Sequence, residues 1–217
     1  GLKVSSLENA QLTYEKKHEL NLGLDVGFVN NRINLAFDWY KRNNFDLIGT
    51  VTTQGIGGEI SKYGNVAEMK SQGVELSLFT RNIERKNFKW QTNFIFAWMD
   101  NEVTKLKTMT RMIDYITGTG YSMEGTPRGS LFSLKFKGLN EMGIPTFLAA
   151  DGSITSTNIQ FQETVNMSNL VYEGPVDPTI TGSLGNIFKW KGFTLNVFMT
   201  YSFGNVVRLD PIFSNGY

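Results

Sequence analysis

The sequence contains no cysteine, only one histidine and no excess of charge of either sign: 21 Lys and Arg stand against 20 Asp and Glu in 217 residues. The lack of cysteine excludes a disulfide-held secreted domain and thiol or Cys-ligated metal chemistry. The charge balance provides no basic face, so no nucleic-acid partner is expected. We therefore predict no metal site, no cofactor and no catalytic residues.

Long apolar runs are absent as well. No segment approaches the roughly 18 apolar residues of a transmembrane helix. Residues 1–10 lack the charged start and apolar core of a signal peptide. Either the chain is soluble, or its targeting signal lies upstream.

What the sequence does contain is strict alternation of apolar and polar residues, with 22 Gly and 13% aromatic residues. Alternation with period two is typical of β-strands with one apolar face. The pattern predicts an all-β fold. It predicts six strands, paired as three hairpins, over residues 14–28, 32–43, 73–81, 88–99, 179–190 and 193–203.

The predicted connections are of two very different lengths. Within hairpins they are two to about five residues, a normal hairpin range. Between hairpins they cover residues 48–70 and 102–177, and connections this long are rare in compact domains. Outer-membrane β-barrels show this asymmetry, with short periplasmic turns and long extracellular loops.

A soluble β-sandwich also produces alternation, because one face of each of its sheets is buried. The strand lengths favour a membrane barrel, since several predicted strands run about 10 to 15 residues and soluble strands cluster near 5 to 6. Charged or polar side chains on the apolar rows, such as Lys16, His18, Lys41 and Asn43, lie beyond Leu20 and Trp39, where lipid headgroups would accept them.

Aromatic side chains also collect at both ends of the apolar rows. Trp90 and Trp98 are eight residues apart, roughly 20 Å of height on a strand tilted by about 40°. The expected apolar band is about 25 Å tall. The residues predicted to lie at the membrane interface are Trp39, Phe88, Trp90, Trp98, Phe188, Trp190, Phe193 and Tyr201.

Six strands are too few to close such a barrel, whose small bacterial forms have about eight. An open sheet would leave backbone groups that lipid cannot satisfy. We therefore expect residues 1–217 to be part of one β-barrel domain that is incomplete at both ends.

Several motifs carry a family resemblance. Residues 12–17 (LTYEKK), 22–25 (LGLD), 31–35 (NRINL) and 64–76 (GNVAEMKSQGVEL) resemble the barrel of SusC/RagA-type TonB-linked outer-membrane proteins. Residues 125–131 (GTPRGSL) and 182–186 (GSLGN) extend the resemblance over nearly the whole chain. The match corresponds to an internal piece of the C-terminal half of the barrel, without the plug domain.

The resemblance implies active import of an oligosaccharide or a peptide across the outer membrane. It implies a SusD-like surface lipoprotein as partner and energy from the TonB–ExbB–ExbD complex through an N-terminal region. Outer-membrane lipid and lipopolysaccharide would surround the barrel. The long 102–177 connection would then contribute to the extracellular mouth, where ligand and lid meet.

Side chains of the long connection are the candidate ligand contacts, by sugar stacking for aromatics and by charge pairing for arginines. They are Arg111, Tyr115, Tyr121, Arg128, Phe147 and Phe161. Ordinary loop packing is the simpler interpretation for each of them.

Two other functions are compatible with a barrel. A passive barrel or surface adhesin would use its loops for attachment, and a plug domain in the parent protein would argue against it. An outer-membrane lipase or protease would need Ser/His or Asp/His near the loop end, whereas His18 has no nearby serine.

Overall fold

Six long strands form one antiparallel sheet in the computed structural model, which describes residues 9–52, 61–108, 110–149, 151–157, 159–163 and 167–209. The strands are β1 (Lys16–Phe28), β2 (Ile33–Thr52), β3 (Ser61–Arg85), β4 (Phe88–Leu106), β10 (Ile180–Trp190) and β11 (Phe193–Phe203). Their order in the sheet is β1-β2-β3-β4-β10-β11. β1 and β11 each pair with one neighbour among these strands, so the described sheet is open at both edges. The all-β prediction and the three hairpins are confirmed.

The register places the apolar rows of all six strands on one face, called here the apolar face. Because side chains alternate along a strand, directly paired residues share a face. Three complete rows are Leu22-Trp39-Val74-Trp98-Ile180-Phe203, Leu24-Phe37-Leu76-Phe96-Gly182-Tyr201 and Val26-Leu35-Leu78-Phe94-Leu184-Met199. Much of this face is open to the surroundings: Leu22 is 58% and Leu195 60% exposed. The sheet thus presents a continuous apolar surface that no described residue covers.

Short turns join the strands at one end of the sheet, the short-turn end. Residues 29–32, 86–87 and 191–192 form the turns within the three hairpins. Val29, Asn30, Asn31 and Lys191 have positive φ in these turns. Asparagine tolerates this conformation well, as expected for the first turn, whereas Val29 is an uncommon residue there.

The prediction of a long loop over residues 48–70 was wrong. β2 continues to Thr52 and β3 begins at Ser61, and the two remain paired throughout with a bulge between Asn44 and Leu47. Asp46 has a φ of 55° at that irregularity. Residues 53–60, the rest of the predicted loop, lie outside the described residues. Strict alternation is lost here because polar residues and glycines, such as Gly49, Thr50 and Asn65, interrupt the apolar rows, although backbone pairing continues.

The second long connection, residues 107–179, has structure of its own. It contains α1 (Met112–Thr117), β5 (Ser130–Leu134), β6 (Phe136–Leu139), β7 (Pro145–Leu148), β8 (Ile154–Thr155) and β9 (Leu170–Pro175). β5 pairs with β9, and β6, β7 and β8 form a three-stranded sheet. This 107–179 segment lies at the long-loop end of the sheet, and it begins five residues later than predicted, because β4 continues to Leu106.

In the part of the chain that the structure describes, no helix is both long and apolar enough to cross a membrane.

Candidate functional site: the barrel wall and the 107–179 segment

The 107–179 segment is organised around a small hydrophobic core. Met112, Leu134 and Ile159 are its buried members, and Ile116, Phe147, Met167 and Leu170 pack against them. Phe132 is 2% exposed and contacts the rings of Tyr115 and Tyr172. These contacts tie α1, the two small sheets and the intervening turns into one packed unit.

Hydrogen bonds attach this segment to the main sheet from two sides. The backbone N–H of Val103, on β4, donates to Thr126 at 2.9 Å, and that of Gly125 donates back to Val103. Beyond β11, the Arg208 guanidinium donates to the carbonyl oxygens of Phe132 (2.9 Å) and Tyr115 (3.4 Å). The segment is therefore fixed to the wall at its long-loop end.

Arg111 is held by neighbours within the chain. Its guanidinium donates to both carboxylate oxygens of Asp114, at 2.8 and 2.9 Å, and to Gln162 at 3.1 Å. Asp114 also accepts from the Arg111 backbone N–H at the start of α1. The Arg111 guanidinium holds the pKa of the Asp114 carboxyl below its usual value. In this arrangement Arg111 stabilises the first turn of α1.

Tyr115 and Tyr121 lie side by side but differ in exposure. Tyr115 is 6% exposed, its ring contacts those of Tyr121 and Phe132 edge-to-face, and its hydroxyl donates to Ser122. Burial raises the pKa of the Tyr115 hydroxyl. Stacking of Tyr115 on a sugar would require this cluster to open, whereas Tyr121 is 37% exposed and can be reached from solution.

The remaining candidates divide in the same way. Phe147 packs against the segment's core and the ring of Phe136, whereas Phe161 is 38% exposed. The Arg128 side chain is exposed and forms no ion pair with any residue in the described ranges, while its backbone N–H donates to Asn101. The structure thus leaves Arg128, Tyr121 and Phe161 accessible, and their ligand contacts stay predictions.

A hairpin of this segment exposes apolar side chains at its tip. Asn140 shapes the turn between β6 and β7, because its side-chain oxygen accepts the backbone N–H groups of Met142 and Ile144. Leu139, Met142 and Ile144 are 64%, 78% and 44% exposed. Sequence reasoning gave no contact role to this hairpin tip, defined here as residues 139–144, although residues 138–140 and 143–145 fit the family resemblance.

The second face of the main sheet, the polar face, carries charged and small side chains. Asp38 lies directly opposite Glu75, and neither carboxylate forms an ion pair with a residue that the structure describes. Nearer the long-loop end, Glu19 pairs with Arg42 at 3.0 Å, and the Arg42 guanidinium lies 3.9 Å from the centre of the Tyr40 ring. This face is suited to water or to a polar domain.

A polar network crosses the apolar face one row from its short-turn aromatics. Asn186 accepts from the Trp90 indole N–H at 2.9 Å and from the Thr92 hydroxyl at 2.7 Å. Thr92 accepts from the Asn82 amide, and Asn82 accepts from the Thr80 hydroxyl. Polar groups are costly in a lipid environment unless they are hydrogen-bonded. Sequence reasoning missed this network, although Thr92 and Asn186 are visible as polar interruptions of apolar rows.

The predicted interface aromatics fall into two groups at opposite ends of the apolar face. At the short-turn end Trp90 stacks on Phe188 (5.7 Å), and Trp190 stacks on Phe193 and pairs with Phe88. Trp39, Trp98 and Tyr201 lie toward the long-loop end. Their location at a membrane interface remains a prediction.

His18 lies on the apolar face against the ring of Phe45, with 5.2 Å between the ring centres. Within the described ranges, no group of three or more His, Cys, Asp or Glu side chains could hold a metal ion.

Comparison with known proteins agrees with this architecture. A family model described as TonB dependent receptor-like, beta-barrel, matches residues 3–210. The TonB-dependent receptor P3 of Formosa agariphila is 28% identical over 95% of this chain and 22% of its own length. The TonB-dependent receptor SusC of Bacteroides thetaiotaomicron is 34% identical over 45% of this chain and 10% of its own length.

Solved structures show the same relationship. The structure of the RagAB peptide transporter has a TM-score of 0.74 and 29% identity, over 94% of this chain and 23% of that one. The chain therefore spans less than a quarter of the length of these relatives. With the family model covering nearly all of it, the chain belongs to the TonB-dependent receptor-like β-barrel family.

Proposed function

We propose that this chain forms part of the wall and mouth of an outer-membrane importer that takes up oligosaccharide or peptide. Transport is active and is driven by the TonB–ExbB–ExbD complex through a region outside this chain. A SusD-like surface lipoprotein caps the barrel. The single observation that carries the proposal is the two-sided sheet: one uncovered apolar face across six strands and one polar face opposite.

The dimensions of the apolar face suit a bilayer. Phe88 and Trp98 are ten residues apart on β4, which corresponds to about 25 Å of height on a strand tilted by about 40°. That height matches the apolar band of outer-membrane barrels, about 25 Å. The polar face then lines the interior, where Asp38, Glu75 and their neighbours contact water or the plug.

The 107–179 segment supports a role in ligand capture at the mouth. It is packed and anchored, so its accessible side chains are held in place before ligand arrives, which lowers the entropic cost of binding. Arg128 would pair with a ligand carboxylate, and Tyr121 and Phe161 would contact apolar side chains or sugar rings. The description of RagAB as a peptide transporter supports peptide cargo, while the resemblance to SusC/RagA-type proteins keeps oligosaccharide as the other class.

The hairpin tip is the part of the segment best suited to contact the lid lipoprotein. Its three apolar side chains project from a turn that Asn140 fixes. Exposed apolar clusters on an ordered surface are typical of protein contact sites. Because the tip belongs to the 107–179 segment and not to the apolar face, lipid would not cover it.

Uptake by living cells tests the proposal. A strain lacking the parent gene would be compared with one that carries it, using labelled pools of peptides and of oligosaccharides. We expect gene-dependent accumulation of one pool that a protonophore abolishes. Surface binding that a protonophore leaves unchanged, without accumulation, would instead support the passive barrel or adhesin.

A further inference from the structure

A recess of about 210 Å³ lies on the apolar face immediately beyond its last apolar row, at the long-loop end. Lys41, Gln72 and Asp100 form the first row beyond Trp39, Val74 and Trp98. Lys70 and Glu102 belong to the next row and are paired at 2.8 Å. The charged side chains of this recess thus begin where the apolar surface ends.

The recess differs from an ordinary set of surface ion pairs. Lys41 is exposed and forms no ion pair with any residue in the described ranges, and the same holds for Asp100. The Lys70 side chain is 51% exposed in spite of its pairing with Glu102. Two ammonium groups and two carboxylates therefore face one small open volume, and one of each sign has no counter-charge.

We propose that this recess binds the phosphate of an outer-leaflet glycolipid headgroup together with a divalent cation. The inference rests on the proposed function only in placing the apolar face in the outer membrane. Lys41 and Lys70 contact the phosphate oxygens, while Asp100 and Glu102 bind the cation that the phosphate shares.

A cation is needed because the recess alone has no net charge. The formal charges of two lysines and two carboxylates sum to zero, so the carboxylates offset the attraction of the lysines for a phosphate. A divalent cation bound to the carboxylates makes the recess net positive. Mg²⁺ is commonly bound by one or two carboxylates plus phosphate oxygens, with water completing its shell.

The position of the recess beside the apolar face favours a lipid phosphate over a soluble phosphate. Lys41 lies about one two-residue strand repeat beyond the last apolar row, and Lys70 lies about two such repeats beyond it. Acyl chains of the same lipid would lie against Trp39, Val74 and Trp98, so the headgroup and the chains are bound by adjoining surfaces. A free phosphate would gain only the first of these contacts.

The test uses the full-length protein purified in detergent and incubated with diphosphoryl lipid A and Mg²⁺. Native mass spectrometry counts the lipid molecules retained. We expect Lys41→Gln/Lys70→Gln to lower retention of one lipid at least fivefold, and dephosphorylated lipid A to bind the unaltered protein equally weakly. The matched control, Lys86→Gln/Lys191→Gln, removes the same charge from the short turns and should retain lipid as the unaltered protein does.

Two further arms separate the alternatives. Chelation of Mg²⁺ should release the lipid from the unaltered protein, and Asp100→Asn/Glu102→Gln should retain it after chelation, because no carboxylates then oppose the phosphate. The proposal would be overturned if Lys41→Gln/Lys70→Gln left lipid retention unchanged, or if dephosphorylated lipid A bound the unaltered protein as well as diphosphoryl lipid A does. Displacement of lipid by millimolar inorganic phosphate would also overturn it. Lipid retention and uptake by cells are separate measurements, so the lipid proposal can be wrong while the proposed transport is correct, and the transport proposal can be wrong while lipid is still retained.

Discussion

The ring of Tyr40 lies across Gly73 on the polar face, and the glycine leaves the space that the ring occupies. The two residues are direct partners in the β2–β3 register. A Cβ atom on residue 73 would lie 2.5 Å from the Tyr40 ring and 2.8 Å from the Trp98 carbonyl oxygen. Tyr40 is consequently 6% exposed, although it faces what would be the barrel interior. An aromatic ring that covers a strand glycine helps to fix the strand register.

Gly73→Ala should therefore destabilise the barrel. Overpacking of a filled site typically costs about 1–3 kcal/mol, and the midpoint of thermal unfolding of the full-length protein in detergent should fall. Gly192→Ala is the matched control, because a Cβ atom there meets nothing within 4 Å. Tyr40→Ala combined with Gly73→Ala should cost less than the sum of the single changes, and strict additivity would contradict this account of the contact.

Asn186→Ala should destabilise the barrel by removing the acceptor that Trp90 and Thr92 share. Leaving such groups unpaired costs about 1–3 kcal/mol. The emission spectrum of Trp90, in a protein with its other tryptophans replaced, should also change, because the indole N–H loses its partner. Asn196→Ala is the comparison: Asn196 is exposed on β11, and its side chain forms no hydrogen bond with any residue in the described ranges. Equal unfolding midpoints for the two variants would show that the network contributes nothing.

The start of α1 should loosen in acid. The pKa of Asp114 lies below its usual value because Arg111 donates hydrogen bonds to the carboxylate. A carboxyl group whose folded-state pKa is lowered contributes stability above its unfolded pKa, about 3.9, and loses that stability as pH falls through the folded value. Amide exchange over residues 111–118, corrected for intrinsic rates, should be constant from pH 7 to about pH 5 and should rise below about pH 4. In the Asp114→Asn variant the amides of residues 111–118 should exchange faster at neutral pH, and their corrected exchange rate should not rise further in acid.

The hairpin tip should control binding of the lid lipoprotein. Leu139→Asn/Met142→Asn removes two exposed apolar side chains, each worth about 1.5–3 kcal/mol if fully buried, so the lid's affinity should fall more than tenfold. Co-purification with the tagged lid, followed by titration, measures this effect. Ile48→Asn/Tyr63→Asn alters exposed apolar residues on β2 and β3 at the same end of the sheet and should leave affinity unchanged. If the Leu139→Asn/Met142→Asn variant bound the lid with unchanged affinity, the lid would have to contact another part of the protein.

The sequence predicted the part of the sheet with one apolar face closely and the remainder poorly, for a single physical reason. Where one face is apolar, alternation marks each strand, and β11 was predicted with its observed bounds, residues 193–203. Beyond Tyr40 a run of four polar residues, Lys41, Arg42, Asn43 and Asn44, occupies both faces, and farther along Leu47, Ile48 and Val51 do not alternate regularly with polar residues. No periodicity in hydropathy then reports the backbone pairing that extends β2 to Thr52.

Predictions for the site were limited in a different way. Residue type alone made Arg111 and Tyr115 resemble ligand contacts, but their partners, Asp114 and Phe132, become visible only once the segment is folded. The recess at Lys41 and Lys70 depends on register between strands that are about thirty residues apart in the chain. The sequence placed Lys41 near headgroups, yet it held no information that brings Asp100 and Glu102 beside it.

Spin labels on adjacent residues of β3 can show whether one face of the sheet contacts lipid. The sequence has no cysteine, so single cysteines at Leu76 and Ser77, which lie on opposite faces of β3, can be labelled in the full-length protein in outer-membrane vesicles once any cysteine elsewhere in it is replaced. Oxygen, which partitions into lipid, should relax the label at residue 76 several-fold more than the label at residue 77. A polar nickel reagent should show no such preference for residue 76. Equal oxygen accessibility at the two positions, with both open to the nickel reagent, would contradict the barrel-wall account and return the chain to a soluble β-sandwich.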